Sequence, residues 1–238
     1  MKKICSLIII ASMVLTACQK QLNFDTPPTG NGTGGGGSTG GGTTSTDCKS
    51  CIYMPVCDGS WYTYTDTLAT TPSVTTDTLR FVKDTTIDSK TFVKIYSPIS
   101  KSTTFYNCTD GATRLITYNV GTAGGNTVSV ADITFIKANL PVGGKWTDKL
   151  ANPLGQEVNY NSTIVEKGIS RTLNGKTYND VIHVNTETGV NAPGFGFIAT
   201  NSTDYYFAKG IGLIEALLTD ASGSFVIEHK TIKAYYIP

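Results

Sequence analysis

The stretch Thr172-Leu173-Asn174-Gly175-Lys176-Thr177-Tyr178 carries the clearest local signal in the chain. An Asn-Gly pair suits the positive φ angles of a two-residue type I′ turn, whose twist matches that of two paired strands. The flanking segments, 164–173 and 176–184, are rich in β-branched and aromatic residues. The stretch therefore predicts an antiparallel β-hairpin with its turn at Asn174 and Gly175.

The same two-residue periodicity dominates the rest of the chain after residue 60. β-Branched and aromatic residues alternate with polar ones in several short runs, which we predict to be strands: 61–65, 80–83, 91–96, 133–136 and 181–184. The nearest candidate for a helix, 211–218, is flanked by Gly210 and interrupted by Gly212, which favours a strand or a bulge. We predict an all-β domain, an antiparallel sheet of half-barrel or sandwich type.

An earlier segment, 86–92, matches 172–178 at an offset of 86 residues. The similarity continues in order, since Gly59-Ser60-Trp61 corresponds to Gly144-Lys145-Trp146 and 105–116 corresponds to 205–214. This pattern predicts two duplicated β-meanders, at about 59–120 and 144–220, with Cys108 in the place of Ala208. Chance similarity between Thr-rich and Tyr-rich strands is the alternative, and duplication requires the same strand order in both halves.

The N-terminus has the three parts of an export signal. Two lysines, Lys2 and Lys3, precede an apolar run from Leu7 to Leu15, and Leu15-Thr16-Ala17-Cys18 has the pattern of a lipobox. The apolar run is too short to span a bilayer. We predict a lipoprotein signal peptide at 1–17 and a lipidated Cys18; an ordinary secretory signal with an incidental Cys18 is the alternative.

The segment 18–47 is rich in Gly and Thr and has almost no apolar residue after Phe24. Such a composition cannot bury enough surface to offset the entropy of ordering the chain. We therefore expect a disordered tether between the lipidated cysteine and a β-rich domain at 48–238, which is long enough for one domain or two small ones.

Cysteine usage agrees with an exported protein. Apart from Cys5 in the signal and Cys18, the chain has four cysteines: Cys48, Cys51, Cys57 and Cys108. An even number in an oxidising compartment favours two disulfides, with three possible connectivities. Unless Cys108 is free, one bond must join it to the 48–57 segment. A metal site at Cys48-x-x-Cys51 is the alternative, but no second pair of ligands completes it.

Charge and histidine content exclude other classes of protein. Lys2 and Lys3 leave with the signal, so 17 basic residues face 18 acidic ones, which is not the basic surface of a nucleic-acid-binding protein. The two histidines, His183 and His229, are too few for a metal cluster. We predict no nucleic-acid partner, no metal site and no cofactor.

Four features together resemble uncharacterised lipoproteins of the Bacteroidota: the lipobox, the Gly/Thr tether, the motif from Cys48 to Ser60, and Tyr205-Tyr206-Phe207-Ala208-Lys209-Gly210-Ile211-Gly212-Leu213-Ile214-Glu215. The last motif is also similar to a strand of lipoprotein-carrier-like β domains, which are open half-barrels. The resemblance implies an antiparallel β fold and an outer-membrane lipoprotein, and it supplies no catalytic residues. Residues 19–25 lack the acidic cluster of a surface-export signal, so both a periplasmic and a surface-exposed location stay open.

The sequence contains no assembled catalytic motif. The closest approach to a Gly-x-Ser-x-Gly elbow, 221–225, does not match it. His183 alternates with Val181 on a strand, which favours a packed or exposed strand residue over a catalytic base, and His229 lies in a polar, solvated neighbourhood. The five glutamates of the mature chain that could in principle form a glycosidase pair are scattered, and we predict that the protein is not an enzyme.

We therefore expect a lipid-anchored cell-envelope lipoprotein whose domain is a non-catalytic binding or structural module. The alternatives are a carrier-like domain for a lipid or another apolar ligand, and a glycan-binding or glycan-processing surface protein. The candidate ligand-binding residues are four aromatic side chains, Tyr62, Tyr64, Tyr205 and Tyr206. On a concave face they would suit an apolar ligand, and on an exposed ridge a glycan; in the sheet core they would only fill space.

Overall fold

The computed structural model describes residues 51–55, 57–87, 90–99, 103–121, 127–151 and 156–238. The predicted signal peptide, Cys18, the predicted tether and Cys48 lie outside the described residues. The described part of the chain contains no helix with the length and hydrophobicity needed to cross a membrane.

Twelve strands form one antiparallel sheet that is nearly closed into a barrel-like shape. Their bounds are β1 Trp61–Leu68, β2 Thr71–Ile87, β3 Lys90–Tyr96, β4 Thr103–Thr109, β5 Ala112–Gly121, β6 Thr127–Lys137, β7 Lys145–Ala151, β8 Glu157–Leu173, β9 Lys176–Ala192, β10 Gly196–Ala208, β11 Gly212–Asp220 and β12 Val226–Tyr236. The order across the sheet is β6-β5-β4-β3-β2-β1-β12-β11-β10-β9-β8-β7. The predicted all-β antiparallel fold is confirmed.

The hairpin predicted from the Asn-Gly pair joins β8 to β9. Leu173 pairs with Lys176, and the two residues between them, Asn174 and Gly175, have φ angles of 51° and 78°. Positive φ at both positions is what a type I′ turn requires. The other predicted runs lie in β1, β2, β3, β6 and β9, and 211–218 lies mostly in β11, whose pairing with β10 contains a bulge.

Apart from β6 and β7, sequence neighbours pair with each other all around the sheet, and β1 pairs with β12. The two edge strands, β6 and β7, meet through side chains. The Trp146 indole N–H donates to the Thr134 carbonyl at 3.0 Å, and the Thr134 amide donates to the Asp148 carboxylate at 2.9 Å. Side-chain hydrogen bonds therefore replace a backbone ladder at this seam.

The alternation of strand direction gives the sheet two different ends. Odd-numbered strands run away from the end where residues 51–60 lie, which we call the closed end. They run towards the end that carries the β1–β2, β9–β10 and β11–β12 turns, which we call the open end. Buried hydrophobic side chains fill the interior near the closed end, among them Phe81, Ile164, Ile182, Phe207 and Ile214.

Residues 51–55 and 57–60 seal the closed end. Tyr53 and Met54 belong to the buried core, and the Tyr53 hydroxyl donates to Asp180 Oδ1 at 2.6 Å. A Cβ on Gly212, whose φ is +113°, would lie 3.3 Å from the Met54 sulfur, so both the backbone conformation and the close packing favour glycine there. A disulfide between Cys51 and Cys108 fixes this segment to β4.

The two halves of the sheet have the same strand order, as the predicted duplication requires. The β2–β3 and β8–β9 hairpins are each the second and third strands of a six-strand meander. The aligned aromatics do not share a face, however. Trp61 pairs with Arg80 on the face opposite to the buried Tyr62, whereas Trp146 is buried on the inner face. The duplication stays a hypothesis, with a one-residue offset between the proposed halves.

Candidate functional site

A cavity of about 180 Å³ opens into the interior of the sheet near the open end, and we call it the mouth cavity. Four strands supply its wall: β6, β10, β11 and β12. Most of the lining is apolar or aromatic, and one side carries a charged pair. The lining residues are Phe135, Thr203, Tyr205, Leu213, Ala216, Leu218, Glu228 and Lys230.

The charged side of the mouth cavity is built by cross-strand pairing. Asp66 of β1 stands opposite Lys230 of β12, and residues directly opposite in a ladder share a face of the sheet. The Lys230 ammonium lies 3.0 Å from Glu228 Oε1 and 3.4 Å from Asp66 Oδ2. The three side chains are between 22% and 35% exposed, so the ammonium is held between two carboxylates that are partly removed from water.

Burial changes the proton affinity of these groups. Desolvation raises the pKa of Asp66, the Lys230 ammonium counteracts part of that effect, and the Glu228 carboxylate adds to it. Desolvation disfavours the charged form of Lys230, but the Glu228 and Asp66 carboxylates outweigh it and raise the pKa of Lys230. Lys230 is therefore a cation at neutral pH, and Asp66 holds its proton more strongly than an exposed aspartate.

A smaller cavity of about 40 Å³ lies beside the mouth cavity and next to the seam between β6 and β7. The two cavities share Phe135 and Tyr205, whose ring centroids are 5.0 Å apart. Thr134, Tyr160 and Ser162 line the smaller cavity as well. The Phe135 and Tyr205 rings therefore form the wall between the two spaces.

A second group of polar side chains lies on the outer face of the sheet. Glu166, His183, Tyr206 and Glu215 stand opposite one another on β8, β9, β10 and β11. The His183 ring stacks on Tyr206 with centroids 4.5 Å apart, and the Arg171 guanidinium lies 4.1 Å from the Tyr206 centroid. We call this group, together with Arg171, Asp204 and His229, the outer network.

Every titratable group of the outer network has a partner within it. Glu215, which is 4% exposed, accepts from Arg171 Nε at 2.6 Å and lies 2.8 Å from His229 Nε2. The hydrogen bond to Glu215 is the main cause of the raised pKa of Arg171. Burial opposes ionisation of Asp204, but hydrogen bonds from His183 and Asn185 outweigh it and lower its pKa. This mutual satisfaction suits a structural role on four neighbouring strands.

The four predicted tyrosines do not form one surface. Tyr62 and Tyr64 are 0% and 3% exposed, and their hydroxyls donate to the Pro55 and Leu213 carbonyls. Both side chains therefore lie in the core, as in the alternative in which these aromatics only fill the sheet interior. Tyr205 lines both cavities, whereas Tyr206 lies on the outer face in the outer network.

The histidines and cysteines also have defined positions. His183 is packed, with 12% of its side chain exposed, and His229, which the sequence placed in solvent, is 41% exposed and paired with Glu215. Cys57 is disulfide-bonded in addition to Cys51 and Cys108, and its partner lies outside the described residues. Among the described residues, no three His, Cys, Asp or Glu side chains are grouped to hold a metal ion.

Asp66, Glu228 and Lys230 were not among the binding residues predicted from the sequence. The signal was present, because Tyr62, Tyr64 and Asp66 alternate along β1, as do Glu228, Lys230 and Ile232 along β12. A charged residue in register with buried ones on a strand faces the interior. What the sequence did not show is that β1 and β12 are neighbours, since they lie at opposite ends of the chain.

No protein-family model matches the chain, and no curated protein matches it significantly. Two solved structures are similar in fold. A candidate lipoprotein from Parabacteroides distasonis has 12% identity and a TM-score of 0.48, over 78% of this chain and 99% of that chain. A candidate exported protein with a YmcC-like fold from Bacteroides fragilis has 10% identity and a TM-score of 0.47, over 79% of this chain and 100% of that chain. Both scores are below 0.5, so neither likeness assigns a family or a function.

Proposed function

We propose that this protein is a lipid-anchored lipoprotein of the outer membrane whose β domain is a non-catalytic binding module, with the mouth cavity as its ligand site. The lipobox at Cys18 supports the anchor. The half-buried Lys230 between Asp66 and Glu228, beside an apolar cavity, is the single observation that carries the binding role.

Stability alone does not explain the charged group. Removing three charges from water is costly, and replacing a buried ion pair by apolar residues is often neutral or stabilising. Apolar residues fill the same inner face nearer the closed end, for example Ile232 and Ile214, both at most 2% exposed. On the inner face, this charged group therefore lies near the open end, where a ligand can reach it.

The volume of the mouth cavity limits the size of the ligand. An apolar cavity of ~150 Å³ is enough to hold benzene, whereas pockets for drug-sized ligands measure roughly 300–1,000 Å³. At about 180 Å³ the mouth cavity holds a body of about one six-membered ring. A full acyl chain exceeds this volume, so the cavity as it stands suits a small ring rather than a lipid tail.

The lining defines the chemistry of that ring. Phe135, Tyr205 and Leu218 offer apolar and aromatic contacts, and Glu228, which pairs with Leu218 across β11 and β12, offers hydrogen-bond acceptors. A sugar ring combines an apolar face, which packs on aromatic side chains, with hydroxyl groups that donate to carboxylates. We therefore place a ring of a glycan, or a cyclic molecule of similar size and polarity, in this cavity.

The test uses the mature chain with Cys18→Ser, which removes the lipid and leaves the rest of the protein unchanged. Methyl β-glucoside and cyclohexanol serve as ring-sized probes in ligand-observed NMR and calorimetry. Leu218→Trp fills the cavity, whereas Leu217→Trp adds the same bulk to the neighbouring outward-facing position. We expect binding to the parent protein and to Leu217→Trp, and none to Leu218→Trp.

Binding of neither probe to the parent protein, or equal binding to both tryptophan variants, would contradict the proposal. Leu218→Phe adds less volume and provides a second filled cavity if Leu218→Trp does not fold. The anchor is tested separately. Labelled palmitate should enter the full-length protein and not its Cys18→Ser variant, and membrane fractionation should place only the former in the outer membrane.

A carrier role for an apolar ligand is the second candidate, because the smaller cavity adjoins the mouth cavity. Phe135→Ala removes one of the two rings that separate them. If the cavity serves longer chains, this variant should bind octyl glucoside at least as tightly as the parent protein binds methyl glucoside. If Phe135→Ala binds octyl glucoside more weakly than the parent protein binds methyl glucoside, the carrier role is contradicted.

A further inference from the structure

We infer that the mouth cavity selects a positively charged ligand, a ring that carries a protonated amine, over neutral and anionic rings of the same size. This inference rests on the proposed binding role of the cavity and names the chemical class that the cavity takes.

The balance of charge on the inner face near the open end favours a cation. Asp66 and Asp77 face the interior because they stand opposite Lys230 and the buried Tyr64, respectively. Asp66 and Glu228 flank the one ammonium, Lys230, and Asp77 adds a third carboxylate to the same face one strand further away, on β2. In a partly desolvated space this imbalance attracts a cation and repels an anion more strongly than it would in water.

Two carboxylate oxygens on this face also lack a hydrogen-bond donor among the described residues. Asp66 Oδ1 and Asp77 Oδ1 are buried, and none of the described residues donates a hydrogen bond to either atom. The other oxygen of each carboxylate has a partner. Asp66 Oδ2 lies 3.4 Å from the Lys230 ammonium, and Asp77 Oδ2 accepts from the Ser97 hydroxyl at 2.5 Å. A buried acceptor without a donor destabilises the folded state. An ammonium group has three donors to offer and no acceptor of its own.

Aromatic side chains line the same space. Tyr205 and Phe135 line the mouth cavity, and the face of an aromatic ring attracts a nearby cation. An amine between these rings and the carboxylates gains from both. An anionic ligand would meet only Lys230, whose ammonium already has two carboxylate partners.

The experiment compares three rings that differ only in the attached group. Cyclohexylamine, cyclohexanol and cyclohexanecarboxylate are titrated into the mature Cys18→Ser protein at neutral pH. We expect the amine to bind about tenfold tighter than the alcohol, and the carboxylate to bind about tenfold weaker than the alcohol, with both ratios falling as salt is added.

Variants locate the preference. Glu228→Gln and Asp66→Asn should each reduce the ratio of amine to alcohol affinity severalfold, whereas Glu187→Gln, on an exposed outer-face residue, should leave it unchanged. Equal affinities for the three rings, or tightest binding of the carboxylate, would overturn the inference and leave the binding role intact. Failure of all three rings to bind would instead remove the binding role itself.

Discussion

The closed and open ends of the sheet use the same strands for opposite purposes. At the closed end β11 contributes Ile214, which is 0% exposed in a core that Tyr53 and Met54 seal. Four residues further along the same strand, Leu218 lines a cavity next to an ion pair. The difference teaches that the tightly packed closed end leaves the other end free to hold partly desolvated charges and a cavity.

The largest expected effect comes from the disulfide at the closed end. Cys51 and Cys108 are separated by 57 residues, and a loop of that length gives a stabilisation of about 4 kcal/mol in the chain-entropy treatment. The double variant Cys51→Ser/Cys108→Ser should lose roughly that much free energy of unfolding, measured by urea denaturation without reductant. The affinity of the mouth cavity for the probes should stay within twofold of that of the parent protein. A large loss of affinity would show that the two ends are not independent.

A matched pair on β11 sharpens the comparison. Ile214→Ala removes fully buried atoms and should cost about 2–5 kcal/mol. Leu218→Ala removes atoms that already border a cavity, so it should cost less, about 1 kcal/mol. Thermal and urea unfolding of both variants give the two values. Equal losses would show that the open end is packed as firmly as the closed end.

The smallest effect concerns one hydrogen bond at the closed end. Tyr53→Phe removes the donor to Asp180 and should cost about 1 kcal/mol at neutral pH. Burial, and then the Asp180 hydrogen bond, raise the pKa of Tyr53 from 10.0 to about 12. Because the folded value is the higher one, this contribution is complete below pH 10.0 and is lost as the pH rises towards 12.

The difference in unfolding free energy between the parent protein and Tyr53→Phe should therefore shrink between pH 10.0 and 12. The other buried tyrosines titrate in both proteins, so their effects cancel in this comparison. A difference that stays constant across this range would show that the Tyr53 hydroxyl is not held by Asp180.

Local sequence patterns predicted most of the fold. The Asn174-Gly175 turn and the alternation in β1, β2, β3, β6 and β9 depend on residues close together in the chain, and the structure confirms them. The pairing of β1 with β12 and the seam between β6 and β7 were not predicted. Both depend on how the whole sheet curves, which no short window of sequence encodes.

The candidate site was predicted only in part. Tyr205 lines the mouth cavity, but Tyr62 and Tyr64 lie in the core and Tyr206 lies on the outer face. Aromatic content indicates which residues prefer burial and does not distinguish a filled core from a cavity wall. The ion pair between Asp66 and Lys230 joins residues 164 positions apart in the chain, and it follows from the closure of the sheet rather than from a motif.

The bond between Cys51 and Cys108 also determines how the domain responds to a mechanical load. Tension that enters the domain at Cys51 passes through the disulfide to β4, a strand held by β3 and β5. Tyr53 and Met54 lie inside the covalent loop between Cys51 and Cys108, so this path bypasses them. The Tyr53 and Met54 side chains therefore stay packed in the core of the closed end under a load applied at Cys51.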